Sequence, residues 1–145
     1  MQGCFFCKYV RQKKKDRKNF IIERTPHSFS ILNLYPYNNG HTMIVPKRHV
    51  KDLGELTRNE REDLLDLFIA TKKLCTKVLK PHGFNAGINF GRVAGAGIED
   101  HLHLHLVPRW SGDTNFMPIF SDTKVISESL KAFYRRLSKK LKKFQ

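Results

Sequence analysis

The stretch that decides the fold is "DHLHLHLVPRW", residues Asp100 to Trp110, in which His101, His103 and His105 alternate with leucines. Because successive side chains of a β-strand point to opposite faces, we predict a strand with three imidazoles on one face and leucines in the core. One histidine on a strand is ordinary, but three in register predict a functional site. Imidazoles at such a site can bind zinc, transfer protons or act as nucleophiles.

The flanking sequence predicts a single α+β domain over residues 1–145. Segments with strand character lie at 28–36, 41–49, 85–91 and 101–108. The first two form a hairpin in this prediction, with Asn38-Asn39-Gly40 at its tip. The expected fold is an antiparallel sheet of about five strands with one long helix and a C-terminal helix.

The long helix is predicted after Thr57, because Thr57 and Glu60 have the spacing of a capping box. Pro81 and Gly83 end it. The residues predicted to share its apolar side are Leu64, Leu65, Phe68, Cys75, Val78 and Leu79. A second amphipathic helix is predicted over Ser127 to Lys142, within a basic C-terminal segment at 122–145.

The charge of the chain points to anionic partners. The formal net charge is +14, which favours nucleotide, phosphate or nucleic acid as a partner. Much of this charge lies in two runs, Arg11 to Lys18 and Arg135 to Phe144. Such runs are usually solvated, so nucleic acid is not the expected partner. No apolar run reaches membrane-spanning length and the N-terminus lacks the apolar core of a secretion signal, so a cytoplasmic location is expected.

Two further sequence patterns indicate binding functions. The small residues of "AGAG", Ala94 to Gly97, let backbone amides approach an anion closely. Beside a histidine cluster on a strongly basic chain, this loop indicates phosphorus chemistry. Cys4 and Cys7 form a C-x-x-C pair, which in a cytosolic chain indicates a metal or redox role. Cys75 is predicted to be a buried small hydrophobic residue.

"HLHLHLV" resembles the strand of the histidine triad (HIT) superfamily of nucleotide hydrolases and transferases. The segments "GHTMIVPKRHV", "NFG…AGAG" and "CFFC" are similar to the family's hairpin, phosphate loop and zinc-binding N-terminus, in the family's order. The continuation "VPRWSGDTNFMP" and the long spacing "NFGRVAGAGIEDH" resemble the diadenosine tetraphosphate (Ap4A) phosphorylase branch. Ala96 stands where the general family has a glutamine that contacts the reacting phosphate, so that contact must come from another group.

The resemblance implies roles for individual residues. It makes His103 the nucleophile, places His105 beside the phosphate oxygens and His41 near the leaving group. The residues implied to bind substrate are Asn33, Asn89, Gly95, Ala96, Gly97, His105 and Trp110. Asn33 stands where relatives carry an aspartate that binds the ribose. For Trp110, a core or dimer-interface position remains equally open.

The resemblance also implies a cofactor and partners. Cys4, Cys7, His49 and His101 would hold one structural zinc ion per chain, anchoring an N-terminal segment at 1–20 that is also basic. The expected partners are dinucleoside polyphosphates, AMP, ADP, ATP and inorganic phosphate, and the expected assembly is a homodimer.

Three functions therefore remain as hypotheses. The first is phosphorolysis of Ap4A to ATP and ADP through an adenylyl group on His103. The second uses the same covalent intermediate with water as acceptor, which gives a hydrolase of dinucleoside polyphosphates or nucleoside phosphoramidates. The third is a zinc-stabilised nucleic-acid-binding module, which would be indifferent to loss of His103.

Overall fold

A computed structural model describes residues 3–113 and 128–142 of the chain. Five strands form one sheet: β1 (Ile21–Arg24), β2 (Ser28–Leu32), β3 (Thr42–Pro46), β4 (Gly83–Ile88) and β5 (Leu104–Arg109). Within the described residues, three α-helices accompany it: α1 (Phe5–Arg11), α2 (Arg58–Leu79) and α3 (Leu130–Leu141). Neighbouring strands are antiparallel, in the order β1-β2-β3-β5-β4. The predicted α+β architecture is confirmed.

Helix α2 begins at the predicted capping box. The Thr57 side chain accepts from the Glu60 N–H, and the Glu60 side chain accepts from the Thr57 N–H. The helix ends at Leu79, where Lys80 adopts a left-handed conformation with φ of 49°. Its buried residues are Leu64, Leu67, Thr71, Leu74 and Cys75. The prediction for Leu65 was wrong: Leu65 is 53% exposed, because it lies about 100° around the helix from buried Leu64.

The sheet separates two apolar layers. On one face, Leu102, Leu104 and Leu106 pack in one cluster with Leu64 and Leu67 of α2. On the other face, Phe6 of α1 packs in a cluster with residues of β1, β2 and β3: Ile21, Phe29, Ile31, Met43 and Val45. The alternation predicted for 101–106 therefore holds: the leucines enter the α2 core, while the histidines lie on the side of α1.

Several element bounds differ from the sequence prediction. Regular strand β5 begins at Leu104, so His101 and His103 precede it, in a segment where the Leu102 N–H donates to the carbonyl of Val50. Helix α1 and strand β1 were not predicted. The proposed start of the last helix at Ser127 lies outside the described residues. No helix in the described part of the chain is long and apolar enough to cross a membrane.

Candidate functional site

His103 is held so that one ring nitrogen faces the site. Its Nδ1 lies 2.8 Å from the carbonyl oxygen of His101. A carbonyl only accepts, so Nδ1 carries the proton and Nε2 of the neutral ring carries the lone pair. Burial lowers the pKa of His103, and the ring therefore remains neutral at neutral pH. The bond to the His101 carbonyl thus leaves Nε2 of His103 with a lone pair that can act as a nucleophile.

His41 and His105 form a second fixed pair. Nδ1 of His41 accepts from the backbone N–H of Tyr37 at 3.0 Å, so Nε2 of neutral His41 carries the proton. That Nε2 lies 2.8 Å from Nδ1 of His105 and donates to it. Nε2 of His105 then carries a proton as well, and it is buried with no hydrogen-bond partner among the described residues. The pair therefore leaves one N–H of His105 that could donate to a bound acceptor.

The three imidazoles sit close together and away from water. The ring centroids of His103 and His105 are 4.8 Å apart, and those of His41 and His105 are 5.0 Å apart. His41 is fully buried. Burial, with a smaller contribution from His103, lowers the pKa of His105 to about 4. The site therefore combines a neutral nucleophile with a neutral donor. His41 contacts His105 through this bond, and its expected place near the leaving group stays a prediction.

Two aromatic residues at the site were missed in the sequence. Phe6 of α1 packs against His103, with ring centroids 5.5 Å apart. Tyr37 is stacked on His105 at 5.8 Å and lies 4.6 Å from His41. The position of Phe6 between the two cysteines was the available signal, because a metal site at the N-terminus also fixes the residue between its ligands. Tyr37 had no signal, since its position depends on the path of the β2–β3 loop.

The glycine-rich loop is partly closed on itself. The N–H groups of Gly95 and Ala96 donate to the carbonyls of Arg92 and Gly91. Among the three amides predicted to bind phosphate, only that of Gly97 has no hydrogen bond within the described residues. The side-chain amide of Asn89 donates to the carbonyl of Gly95. Asn89 therefore supports the loop, and phosphate binding by the first two amides would require these bonds to be shared or replaced.

Asn33 and Trp110 lie at the borders of the site. The side-chain nitrogen of Asn33 is 3.3 Å from Nδ1 of His41, and its oxygen accepts from the Tyr35 N–H. Asn33 thus contacts the histidine pair, and its predicted role toward ribose remains a prediction. Trp110 follows β5, half-buried, and its backbone N–H donates to Asp113. This position leaves both interpretations of Trp110 open.

Cys4, Cys7, His49 and His101 form a separate cluster. Their potential ligand atoms all lie within 4.8 Å of one another. His101 donates through Nε2 to the carbonyl of Pro46 at 2.8 Å, so its Nδ1 lone pair faces the two sulfur atoms. Two thiols and two imidazoles are the donor set of a closed tetrahedral zinc site. The carbonyl bond that orients His101 is the support such a ligand requires, so the residues fit the ion.

The comparisons agree with this fold. The model of the HIT domain family matches residues 14–112. An AP-4-A phosphorylase of Mycobacterium tuberculosis is 42% identical over 123 residues, which are 85% of this chain and 63% of that protein. The chain thus spans less than two thirds of that relative's length.

Two other relatives match over nearly their whole length. The adenosine 5'-monophosphoramidase hnt1 of Schizosaccharomyces pombe is 30% identical over 140 residues, covering 97% of this chain and 99% of that protein. The crystal structure of a hypothetical histidine triad nucleotide-binding protein from Sulfolobus tokodaii superposes with a TM-score of 0.74 at 28% identity, covering 97% of this chain and 90% of that one.

Proposed function

Because this chain belongs to the HIT domain family, we propose that it is a nucleotidyltransferase that cleaves diadenosine tetraphosphate with inorganic phosphate to ATP and ADP. The observation that carries the proposal is the 2.8 Å bond from Nδ1 of His103 to the His101 carbonyl, which leaves Nε2 as a lone-pair nucleophile. The AP-4-A phosphorylase relative at 42% identity supports the choice of substrate.

In the first half-reaction, Nε2 of His103 attacks the α-phosphorus of one adenosine. The new P–N bond forms as the bond from that phosphorus to the bridging oxygen breaks, and ATP leaves. The Nε2–H of His105 donates to a non-bridging oxygen of the phosphorus under attack, which stabilises the charge that develops there. His41 does not touch the substrate in this scheme; it holds His105 in the donor tautomer.

In the second half-reaction, an oxygen of inorganic phosphate attacks the same phosphorus. The P–N bond breaks, ADP leaves, and His103 returns to its neutral form with Nδ1 still bonded to the His101 carbonyl. The positive net charge of the chain favours approach of both anions.

Product analysis tests the proposal. The purified protein is incubated with Ap4A with and without inorganic phosphate, and nucleotides are separated by chromatography. ATP and ADP that appear only with phosphate support it, provided that His103→Ala abolishes both. His27→Ala, which removes an exposed imidazole outside the site, is the matched control and should retain activity. Failure of phosphate to change the products would contradict phosphorolysis.

Hydrolysis is the second candidate. The observation that favours it is the adenosine 5'-monophosphoramidase relative, which aligns over 99% of its own length. In this case water attacks the adenylyl group on His103, and the products from Ap4A are ATP and AMP regardless of phosphate. Turnover of adenosine 5'-phosphoramidate in place of Ap4A would identify the phosphoramidase variant of the same chemistry.

We further propose that Cys4, Cys7, His49 and His101 hold one zinc ion. When bound, zinc would supply a structural cross-link between the N-terminal helix and the segment before β5. Support comes from the convergence of the four donors and from the orientation of His101. The cross-link would fix the carbonyl of His101, which accepts the hydrogen bond from Nδ1 of His103. His101 would therefore bind the metal and also orient the nucleophile.

A homodimer is proposed as the assembly. Strand β4 is an edge of the sheet, and its residues Asn85 to Gly87 are exposed. Leu65 and Ile69 of α2 are also about half exposed. Unpaired strand edges and exposed apolar residues are features of surfaces that associate. Light scattering coupled to size exclusion would give the mass of the assembly and decide between monomer and dimer.

A further inference from the structure

Two basic segments from opposite ends of the chain meet at one groove, which we call the basic groove. It has a volume of about 640 Å³. Its cationic lining residues are Lys14, Lys15, Arg17, Lys18, Lys131 and Arg135. By itself each run predicts a solvated segment, and only the fold brings the two segments together. The groove lies beside α3 and the residues before β1, whereas His101 and His103 pack against Phe6 of α1.

The acidic residues that the structure describes do not neutralise the positive charge of the basic groove. Asp16 is the single acidic residue of the first basic run. Its carboxylate is bound by Arg24, with Nη2 to Oδ1 at 2.7 Å and Nε to Oδ2 at 2.9 Å. Among the described residues, none of the six cations that line the groove takes part in an ion pair. The groove therefore presents a concentrated field that attracts polyanions.

Two aromatic rings line the same groove. The rings of Phe20 and Tyr134 meet edge to face, with centroids 5.7 Å apart. The Tyr134 hydroxyl donates to the carbonyl of Ile21 at 2.9 Å, which fixes that ring. A positive groove with aromatic rings is the combination by which proteins bind single-stranded nucleic acid, because the cations follow the phosphates and the rings stack on unpaired bases.

The cations of α3 extend beyond the groove. Lys131, Arg135, Lys139 and Lys142 are exposed and recur at helical spacing along one side, over about 16 Å. This length matches the successive phosphates of a polymer, whereas the phosphates of one nucleotide form a single compact cluster. The apolar side of α3 is occupied, since Phe133 and Leu137 are buried in the core, so the helix has no free apolar face for insertion into a bilayer.

We propose that the basic groove binds single-stranded nucleic acid, through its phosphates and unpaired bases, at a site separate from the histidines. Binding requires no covalent step and does not depend on the activity proposed above. RNA and DNA share the phosphate and base chemistry that the groove recognises, and they form the two arms of the test.

The test is fluorescence anisotropy with labelled single strands of mixed sequence, about 20 nucleotides long, as RNA and as DNA. Affinity is measured between about 50 and about 200 mM salt. The Lys131→Gln/Arg135→Gln variant removes two groove charges, and the Lys51→Gln/Lys73→Gln variant removes two exposed charges elsewhere. We expect the groove variant to bind at least about tenfold more weakly, with a salt slope smaller by about 1.4, and the control to bind within about twofold of wild type.

Controls distinguish this site from the others. The His103→Ala variant should bind the single strand as wild type does, and the groove variant should keep its far-ultraviolet circular dichroism spectrum. If the groove variant fails to fold, Lys15→Gln/Arg17→Gln in the exposed loop replaces it. Three results would each overturn the proposal. The first is an equal loss of affinity in the groove and control variants, and the second is tighter binding of a duplex than of the single strand. The third is groove-dependent capture by anionic vesicles without binding of either strand.

Discussion

Nε2 of His41, the residue before β3, lies 2.8 Å from Nδ1 of His105 in β5, in a buried contact. Since the backbone N–H of Tyr37 occupies Nδ1 of His41, this contact has a single direction, from His41 to His105. The direction determines which nitrogen of His105 can donate to a substrate. In the proposed function, His41 is therefore a positioning residue.

The first prediction separates this role from simple packing. His41→Leu removes the donor to His105, so the proton of His105 is no longer held on Nε2. We expect the kcat for Ap4A cleavage to fall by about 10²-fold, with a smaller change in KM. His41→Gln can place an amide N–H near the former Nε2 and should retain most of the activity. Steady-state kinetics on both variants measure this effect. If the two variants have the same Tm and lose the same factor in kcat, His41 only fills space.

The second prediction concerns the protonation of His105. Burial lowers its pKa to about 4, against an ordinary value of 6.5, and the groups that face it are His103, His41 and Tyr37. The ring should therefore stay neutral as the pH falls from 8 to 5. Imidazole carbon–proton NMR signals measure this directly, with the His105 signal identified by its loss in His105→Asn. A midpoint for that signal near 6.5 would contradict the assignment.

The same shift predicts how stability depends on pH. Between about 6.5 and about 4 the unfolded chain takes up a proton at His105 that the folded chain does not bind. The contribution of His105 to the free energy of unfolding is thus complete above pH 6.5 and decreases as the pH falls through that window. Urea unfolding at pH 7 and pH 5 should show a larger loss of stability in wild type than in His105→Asn. An equal loss would mean that other groups control the acid response.

The sequence was sufficient for the features that follow from local periodicity. Alternation at 101–106 identified both the leucine core and the histidine face, and the Thr57–Glu60 spacing located the start of α2. The misses arose where tertiary packing decides. Leu65 is one of the apolar residues of α2, but it lies outside the buried face of that helix. Helix α1 is held by the packing of Phe6 against residues of β2 and β3. The His41–His105 contact depends on strand order, which no local pattern contains.

The fourth prediction concerns metal content. Purified protein should contain about one zinc ion per chain, and Cys4→Ser or His49→Ala should lower this ratio well below one, as measured by plasma mass spectrometry. Cys75→Ala is the matched control, because Cys75 is buried in the core and burial raises its pKa to about 12. The control should keep its metal. Retention of zinc in Cys4→Ser would exclude the proposed ligand set.

Metal removal should also lower thermal stability. Binding to the folded chain alone stabilises it by mass action, so a chelator should reduce the Tm of wild type and of Cys75→Ala. The same chelator should have little effect on Cys4→Ser, in which the site is already lost. A similar decrease in all three proteins would mean that the chelator acts elsewhere.

The last prediction addresses the turn that places His41. Gly40 adopts φ of +78°, and a Cβ there would lie 2.4 Å from Leu79 Cδ1 and 3.2 Å from both Phe133 Cζ and Pro108 Cγ. Gly40→Ala must therefore strain the backbone and displace side chains of α2, α3 and β5 together. We expect a loss of about 2 kcal/mol in the free energy of unfolding. Because the next residue is His41, we also expect reduced kcat.

Gly83→Ala is the matched control for this turn, because a Cβ at Gly83 would meet nothing within 4 Å. Urea unfolding and Ap4A turnover on both variants test the prediction. The strain and the catalytic effect have the same origin in the turn at Gly40, so both should be absent in Gly83→Ala. If Gly40→Ala is destabilised but turns over substrate at the normal rate, His41 is positioned by its contacts with Tyr37 and His105 rather than by the turn.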